Sequence, residues 1–372
     1  MEFIIEKEIL TKGLHRVQGI MDKKGIMPIL LNVLIEAKGK EIFITATDLE
    51  VGFKESHDAE IKKEGKIGIL GKKLFEIVKE LPEKIISIKL KENYWVEIKS
   101  GKSIFNIMGV EVEKYPALPS YEKEVDFVEA PNRLINEMIN KTIYAVSNDE
   151  SRKNLLGVFM AQENKEEKKF LRMVATDGYR LSMIDRQIDN EIKGIEKGIL
   201  LPKKGLWELS KILDEDGEKI LVSVKNNNFI IKNGKKTLII RLLDAEFPDY
   251  RQVIPEKTKI NICLKRNEFL ECLKRVAILA SEKSKGVKFS LSNKIMELST
   301  YNPEIGEAKE EISAEYKGED LSVGFNAKFV LEALDNFESD DVVIAMEDPN
   351  SPAIFRPVGD DLHKCVIMPM RF

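Results

Sequence analysis

Several residue sets in this chain have types and spacings that could do chemistry. Gly101-Lys102-Ser103 has the ending of a phosphate-cradling loop, in which backbone amides and a lysine would hold a polyphosphate. Such a loop also needs glycine where Val96 stands, and it must open a helix; here the triplet joins two alternating strands, so a hairpin turn is expected. His15, His57 and His363 could each act as a general base, but they stand far apart with no HExxH or CxxC partner, and a surface or packing role is expected for each. The acidic pairs Asp214/Asp216, Asp340-Asp341 and Asp360-Asp361 fall in predicted loops, where such residues are expected to be solvated turn formers. Cys263, Cys272 and Cys365 are too few and too scattered for a disulfide framework or a thiolate zinc site. These sets therefore predict no catalytic residue, no metal site and no cofactor.

The lysines are more informative. Net charge is −4, against wholesale electrostatic capture of nucleic acid, yet 33% of the 372 residues are charged, so a basic face can coexist with an acidic exterior. Lys72, Lys204 and Lys328 occupy equivalent places in a recurring segment: Lys72-Lys73-Leu74-Phe75-Glu76, Lys204-Gly205-Leu206-Trp207-Glu208 and Lys328-Phe329-Val330-Leu331-Glu332. Any one of these helices reads most simply as a solvated face of mixed charge. Recurrence on helices facing one way would instead build a continuous cationic surface for phosphates, without base-reading residues.

A second segment repeats in step with the first. Ile42-Phe43-Ile44-Thr45-Ala46-Thr47-Asp48-Leu49 returns as Leu171-Arg172-Met173-Val174-Ala175-Thr176-Asp177-Gly178 and, worn down, as Ile295-Met296-Glu297-Leu298-Ser299-Thr300-Tyr301-Asn302. Asp48 and Asp177 share a position that becomes Tyr301, which suits an architectural role at a strand end better than catalysis. The repeat is roughly 125–130 residues, longer than the ~20–50 of solenoid units, so each copy can fold as a domain. The expected domains are 1–126, 127–257 and 258–372. Each is expected to be α+β, made of two βαβββ halves that give one helix apiece to one face and sheets to the other. Periodicity places one helix over Ile9, Leu10, Leu14, Val17 and Met21, with matching helices at 134–143 and 269–280. Asn233-Gly234 predicts a two-residue hairpin. The longest apolar stretch, 26–35, is half the ~20 residues a bilayer needs, and charged residues interrupt the N-terminal apolar ones, so a cytoplasmic protein is expected, with no membrane partner.

Val174-Ala175-Thr176-Asp177-Gly178-Tyr179-Arg180-Leu181, Phe247-Pro248-Asp249-Tyr250-Arg251, Asn302-Pro303-Glu304 and the terminal Val366-Ile367-Met368-Pro369-Met370-Arg371-Phe372 resemble the bacterial DNA polymerase III beta subunit family, the sliding clamps, and the resemblance covers the whole chain in order. It implies a head-to-tail homodimeric ring with helices lining the hole, encircling duplex DNA and tethering the polymerase III alpha subunit, the clamp loader and other clamp-binding proteins of replication and repair. No enzymatic activity is implied. A partner-peptide cleft is implied at Leu155, Thr176, Gly178, Tyr179, Arg180, Leu181, Pro248, Val253, Val366, Met368, Pro369, Met370 and Arg371. Its apolar and methionine side chains suit short apolar peptide anchors, with arginine at an edge. Tyr179 stands where many relatives carry histidine. DNA contact is implied for Lys23, Lys24, Arg152 and Lys153, beside the helix lysines. At the ring joint, Lys73, Ile77, Phe105 and Ile107 of one subunit would meet Ile278, Leu279, Glu304, Glu307 and Glu311 of the other, a basic and apolar edge against an apolar and acidic one. The rival classes are an enzyme acting on DNA, disfavoured by the lack of an acidic metal cluster, and a repeat-built scaffold binding only proteins, which would not need recurrent helix lysines.

Overall fold

The computed structural model describes residues 1–21, 27–113, 115–119, 126–165, 168–213 and 217–371. The chain forms two compact units: Met1–Asn136 with Asn190–Ile195 and Lys204–Leu242, and Glu137–Asp189 with Glu196–Lys203 and Leu243–Phe372.

The first unit is built on a thirteen-stranded sheet. Glu2–Glu6 lies between Ile85–Leu90 and Glu60–Lys63 near one end. The sheet then runs through Trp95–Ser100, Ser103–Val110, Gly65–Leu70, Asn32–Lys38 and Glu41–Thr47 to Val51–Asp58. There it does not stop. Val51–Asp58 pairs with Lys236–Arg241, Phe53 opposite Leu238, so strands of the central repeat continue the sheet of the first. Alternation fixes the register: Val33, Ile35 and Ala37 are buried while Leu34 and Glu36 on the other face are half-exposed. Helices α1 (Lys7–Val17) and α2 (Gly71–Glu80) cover the buried face and pack on each other. They bury Leu10, Leu14 and Val17, and Leu74 and Val78, at three- and four-residue steps, each worth about 2 kcal/mol removed from water.

Three hairpin turns of this unit follow one pattern. Lys38 pairs with Glu41, Ser100 with Ser103 and Asn233 with Lys236, leaving Gly-Lys as the two loop residues each time. Gly39, Gly101 and Gly234 have φ of 62, 56 and 56°, the left-handed region a mirror-image hairpin turn needs at its first central position. The Gly101-Lys102-Ser103 triplet is thus a turn. The expected Asn233-Gly234 turn is displaced by one residue, because Asn233 closes the ladder and Gly234-Lys235 forms the loop.

The second unit holds a nine-stranded sheet and a four-stranded one. Arg180–Gln187, of the central repeat, pairs with the last strand, His363–Ile367, Leu181 opposite Val366. Helices α5 (Arg266–Val276) and α6 (Ala327–Asp335) belong to this unit, α4 (Lys203–Leu213) belongs to the first but for Lys203, and the residues of α3 (Asn132–Ile143) are divided between the two, which makes six α-helices among the described residues. Between α5, α6 and the strands of this unit, Phe269, Phe289, Phe325 and Phe355 meet edge to face, with successive ring centroids 5.8, 5.3 and 5.4 Å apart. Among the described residues no helix is long and apolar enough to cross a membrane.

Candidate functional site

A cavity of about 270 Å³ opens in the second unit. Its wall is the tight turn 176–181. The Thr176 hydroxyl donates to the Arg180 carbonyl (2.6 Å) and accepts the Gly178 amide (3.1 Å), while one Asp177 oxygen accepts the amides of Tyr179 and Arg180 (3.0 and 3.1 Å). Gly178 has φ of 90°, and a Cβ there would stand 2.9 Å from Arg152 Nη1, so glycine serves both backbone and neighbour. Asp48 builds the same turn in the first unit, accepting the amides of Glu50 and Val51 (3.0 and 2.7 Å). In the third repeat Asn302, not Tyr301, accepts the amide two residues on.

The cavity is lined by Leu155, Thr176, Gly178, Arg180, Leu181, Pro248, Val253, Val366 and Met368, all expected, together with Asn154, Asp249 and Tyr250. Beneath it Val174, Leu181, Met183, Tyr250 and Val366 form one buried cluster with Val253 packed against it. Asp249 caps the short 3-10 helix Tyr250–Val253, which aims Val253. The Tyr250 hydroxyl accepts from Arg172 (3.2 Å), itself held by two bonds to Asp185 (2.6 and 2.7 Å). Tyr179 is 59% exposed, and Tyr179, Pro369, Met370 and Arg371 are not part of this lining. The tail is nonetheless fastened: the Met368 amide donates to the Tyr179 carbonyl (3.0 Å) and the Met370 amide to the Gly324 carbonyl (2.8 Å).

Arg180 differs from the arginine edge expected of it. Its side chain is 7% exposed and its guanidinium is spent internally: on Asp177 (3.1 Å), Glu332 and the Tyr144 carbonyl (2.7 Å), over the Phe329 ring (4.5 Å). Tyr144 in turn meets Cys365 Sγ at 2.7 Å and donates to Ser182 (3.2 Å), and burial pushes its hydroxyl pKa well up. Arg180 is a strut. The exposed cation at this rim is Arg152, which donates to the Asp177 carbonyl (3.3 Å).

Models of the N-terminal, central and C-terminal domains of the DNA polymerase III beta subunit match residues 1–119, 129–249 and 251–371. The beta sliding clamp of Vibrio cholerae is 30% identical over 372 residues, covering all of both chains. The solved beta subunit of Thermotoga maritima superposes with a TM-score of 0.90 at 32% identity, covering 100% of this chain and 99% of that one. The Bartonella birtlesii sliding clamp, solved bound to griselimycin, gives 0.94 at 28% identity over 100% of both chains. This chain belongs to the DNA polymerase III beta subunit family, the beta sliding clamps.

The remaining residues expected of a clamp fall as follows. Lys23 and Lys24 lie outside the described residues. Lys72, Arg152, Lys153 and Lys328 are exposed. Lys204 is not an open cation, since its ammonium pairs with Asp48 and donates to the Ile20 carbonyl (3.4 Å). Lys328 stands 3.9 Å from Glu332. Lys203, which precedes the matched repeat segment, donates to Asn148 (3.0 Å); burial and then the Arg180 cation lower its pKa. Of the joint residues, Phe105 and Ile278 are 41% and 76% exposed, Ile77, Ile107 and Leu279 are half-buried, Lys73 pairs with Glu76 (2.7 Å), and Glu304, Glu307 and Glu311 are exposed. Ile278 and Leu279 sit on a 3-10 turn continuing α5.

The catalytic candidates are occupied elsewhere. His363 is fully buried against Phe337, ring centroids 5.1 Å apart, and the His15 ring lies tilted against Phe75 at 5.8 Å. Asp361 is the solvated turn residue expected, 82% exposed although Arg356 reaches it (2.5 Å), whereas Asp360 is half-buried and pairs with Arg186 (2.6 Å) from a neighbouring strand. Asp341 likewise pairs with Lys265 (2.8 Å), and Asp214 and Asp216 lie outside the described residues.

Proposed function

We propose that this chain works as a DNA sliding clamp: two copies close head to tail into a ring around duplex DNA. The cleft tethers the alpha subunit of DNA polymerase III, the clamp loader and other replication and repair proteins through short peptide segments. The observation that carries the ring is a pair of open strand edges. Among the described residues, Ser103–Val110 pairs with Trp95–Ser100 from Ser103 to Met108 but meets Gly65–Leu70 only at Gly109 and Val110, and Gly306–Ser313 pairs only with Ile295–Asn302. An exposed edge with apolar side chains invites strand addition from another chain. One edge offers Phe105, with Lys73 and Ile77 on α2; the other offers Glu307 and Glu311, with Glu304, Ile278 and Leu279 on its unit. Two unlike, complementary edges make a heterologous contact, which gives a ring when it closes.

DNA contact is assigned to Lys23, Lys24, Lys72, Arg152, Lys153 and Lys328, and Lys204 would have to leave Asp48 to join them. The internal pairing of Lys204 and Lys328 supports weak, sequence-blind contact, which suffices when topology does the holding. Peptide binding is assigned to the cleft residues, whose apolar floor and methionine suit a segment with two or three apolar anchors. The protein carries out no reaction of its own and acts in the cytoplasm. The test is retention on DNA after clamp loading: the chain should stay on nicked circular DNA through a salt wash and leave when the circle is cut. Release from both forms alike would favour the protein-only scaffold.

A further inference from the structure

A second cavity, of about 320 Å³, lies in the first unit on the sheet face opposite the buried one, and nothing in the clamp reading uses it. Strand register sets out its chemistry. Lys232 lies opposite Thr237, Thr237 opposite Lys54, and Lys54 opposite Thr45, so four adjacent strands present a row Lys-Thr-Lys-Thr. With strands about 4.8 Å apart, the two lysines straddle the Thr237 hydroxyl at roughly 10 Å. Two residues along, the same strands present Ile230, Ile239 and Gly52, an apolar row beside the cationic one. Gly52 leaves room for Leu118, which crosses above it; a Cβ there would meet Leu118 Cδ2 at 2.5 Å. Tyr115, donating to the Asn32 and Thr45 carbonyls (3.2 and 3.4 Å), anchors that wall.

The cations here are uncommitted. Lys54 lies 4.7 Å from the Phe43 ring centroid and Lys232 4.4 Å from that of Phe127. Aromatic faces orient both without neutralising them. Among the described residues neither they nor Lys66, also in the lining, make an ion pair, and Glu36 is the one carboxylate of the lining. This contrasts with Lys235 on the adjoining turn, which is held by Glu41 (2.7 Å) and Asp58 (2.8 Å).

We infer that this cavity binds a small organic anion, its phosphate or carboxylate seated between Lys54 and Lys232 at Thr237 and its apolar body on Ile230 and Ile239 under Leu118. The volume holds one ligand of small-metabolite size. The test uses the full chain labelled at isoleucine δ1 methyls, titrated separately with phenyl phosphate, octanoate and neutral benzyl alcohol. Saturable shifts of the Ile230 and Ile239 methyls with either anion are expected, the tighter anion naming the head group, and none with benzyl alcohol at the same concentrations. Lys54→Met with Lys232→Met should raise the half-saturation concentration at least tenfold, Thr237→Val should raise it severalfold, and Lys235→Met should leave it unchanged. The spectra themselves report whether each variant is folded. Absence of shifts with both anions, equal shifts with benzyl alcohol, or an unchanged half-saturation in the folded double variant overturns the assignment.

Discussion

Arg180 and His363 show how single residues trade charge for position. Arg180 holds the cleft turn to α6 and to the Tyr144 backbone, its guanidinium committed to those partners. Replacing it with alanine leaves Glu332 and Asp177 without their cation in a mostly buried place, so Arg180→Ala should destabilise the second unit by about 3 kcal/mol and Glu332→Gln by less; urea unfolding followed by circular dichroism and by tyrosine fluorescence measures both. His363 has both ring nitrogens without a hydrogen-bond partner among the described residues. Burial, and then the Lys141 cation, lower its pKa to about 4, with Arg186 acting the same way and Asp360 and Glu137 opposing. Its neutral form is therefore the one the native state favours. Stability from this site is fully present above pH ~6.5, the ordinary histidine value, and is lost as pH falls toward 4, by about 3 kcal/mol in all. His363→Leu should flatten that part of the stability-against-pH curve; an equally steep loss in the variant would show that another group carries it.

At the scale of elements, the cleft is a joint product of one turn, one 3-10 helix and one strand end. Met368 belongs to it through side chain and amide alike. Met368→Asp places a charge beside Val253 and Leu155 while keeping the tail's backbone bonds, so a labelled partner peptide should bind at least tenfold more weakly by fluorescence anisotropy, with sedimentation unchanged. Gly178→Ala forces a φ of 90° on alanine and pushes Arg152 aside, and should cost about 1 kcal/mol or more along with some peptide affinity. The open strand edges make a separate prediction. Ile278→Ala with Leu279→Ala removes apolar area from one side of the proposed joint without touching the core, so the variant should sediment as a folded monomer. A variant that stays fully dimeric would move the joint elsewhere.

For the whole molecule, net charge of −4 sets the expectation that DNA is held weakly and locally. Neutralising Lys24, Arg152 and Lys153 together should weaken binding to primed DNA alike for every sequence and make the salt dependence shallower by roughly 2–3 in log–log slope. A defect confined to particular sequences would contradict a sliding surface. Retention on closed circles should fall much less, since topology does not depend on those charges.

The sequence by itself determined the repeat, the helices and the turn chemistry, because these are local. Thr-Asp at 47–48 and 176–177 caps its own backbone, apolar steps of three and four residues bury one helix face, and Gly-Lys pairs turn hairpins whatever lies around them. What only the tertiary structure decided was long-range partnership. That Val51–Asp58 pairs with Lys236–Arg241, and Arg180–Gln187 with His363–Ile367, is invisible in either strand, since an edge carries no record of which other edge will complete its hydrogen bonds. The same holds for charge. Lys204 and Arg180 read as available cations until folding brings Asp48 and Glu332 to them, while Lys54 and Lys232 read as ordinary surface lysines until strand register sets them on either side of Thr237 beside an apolar row.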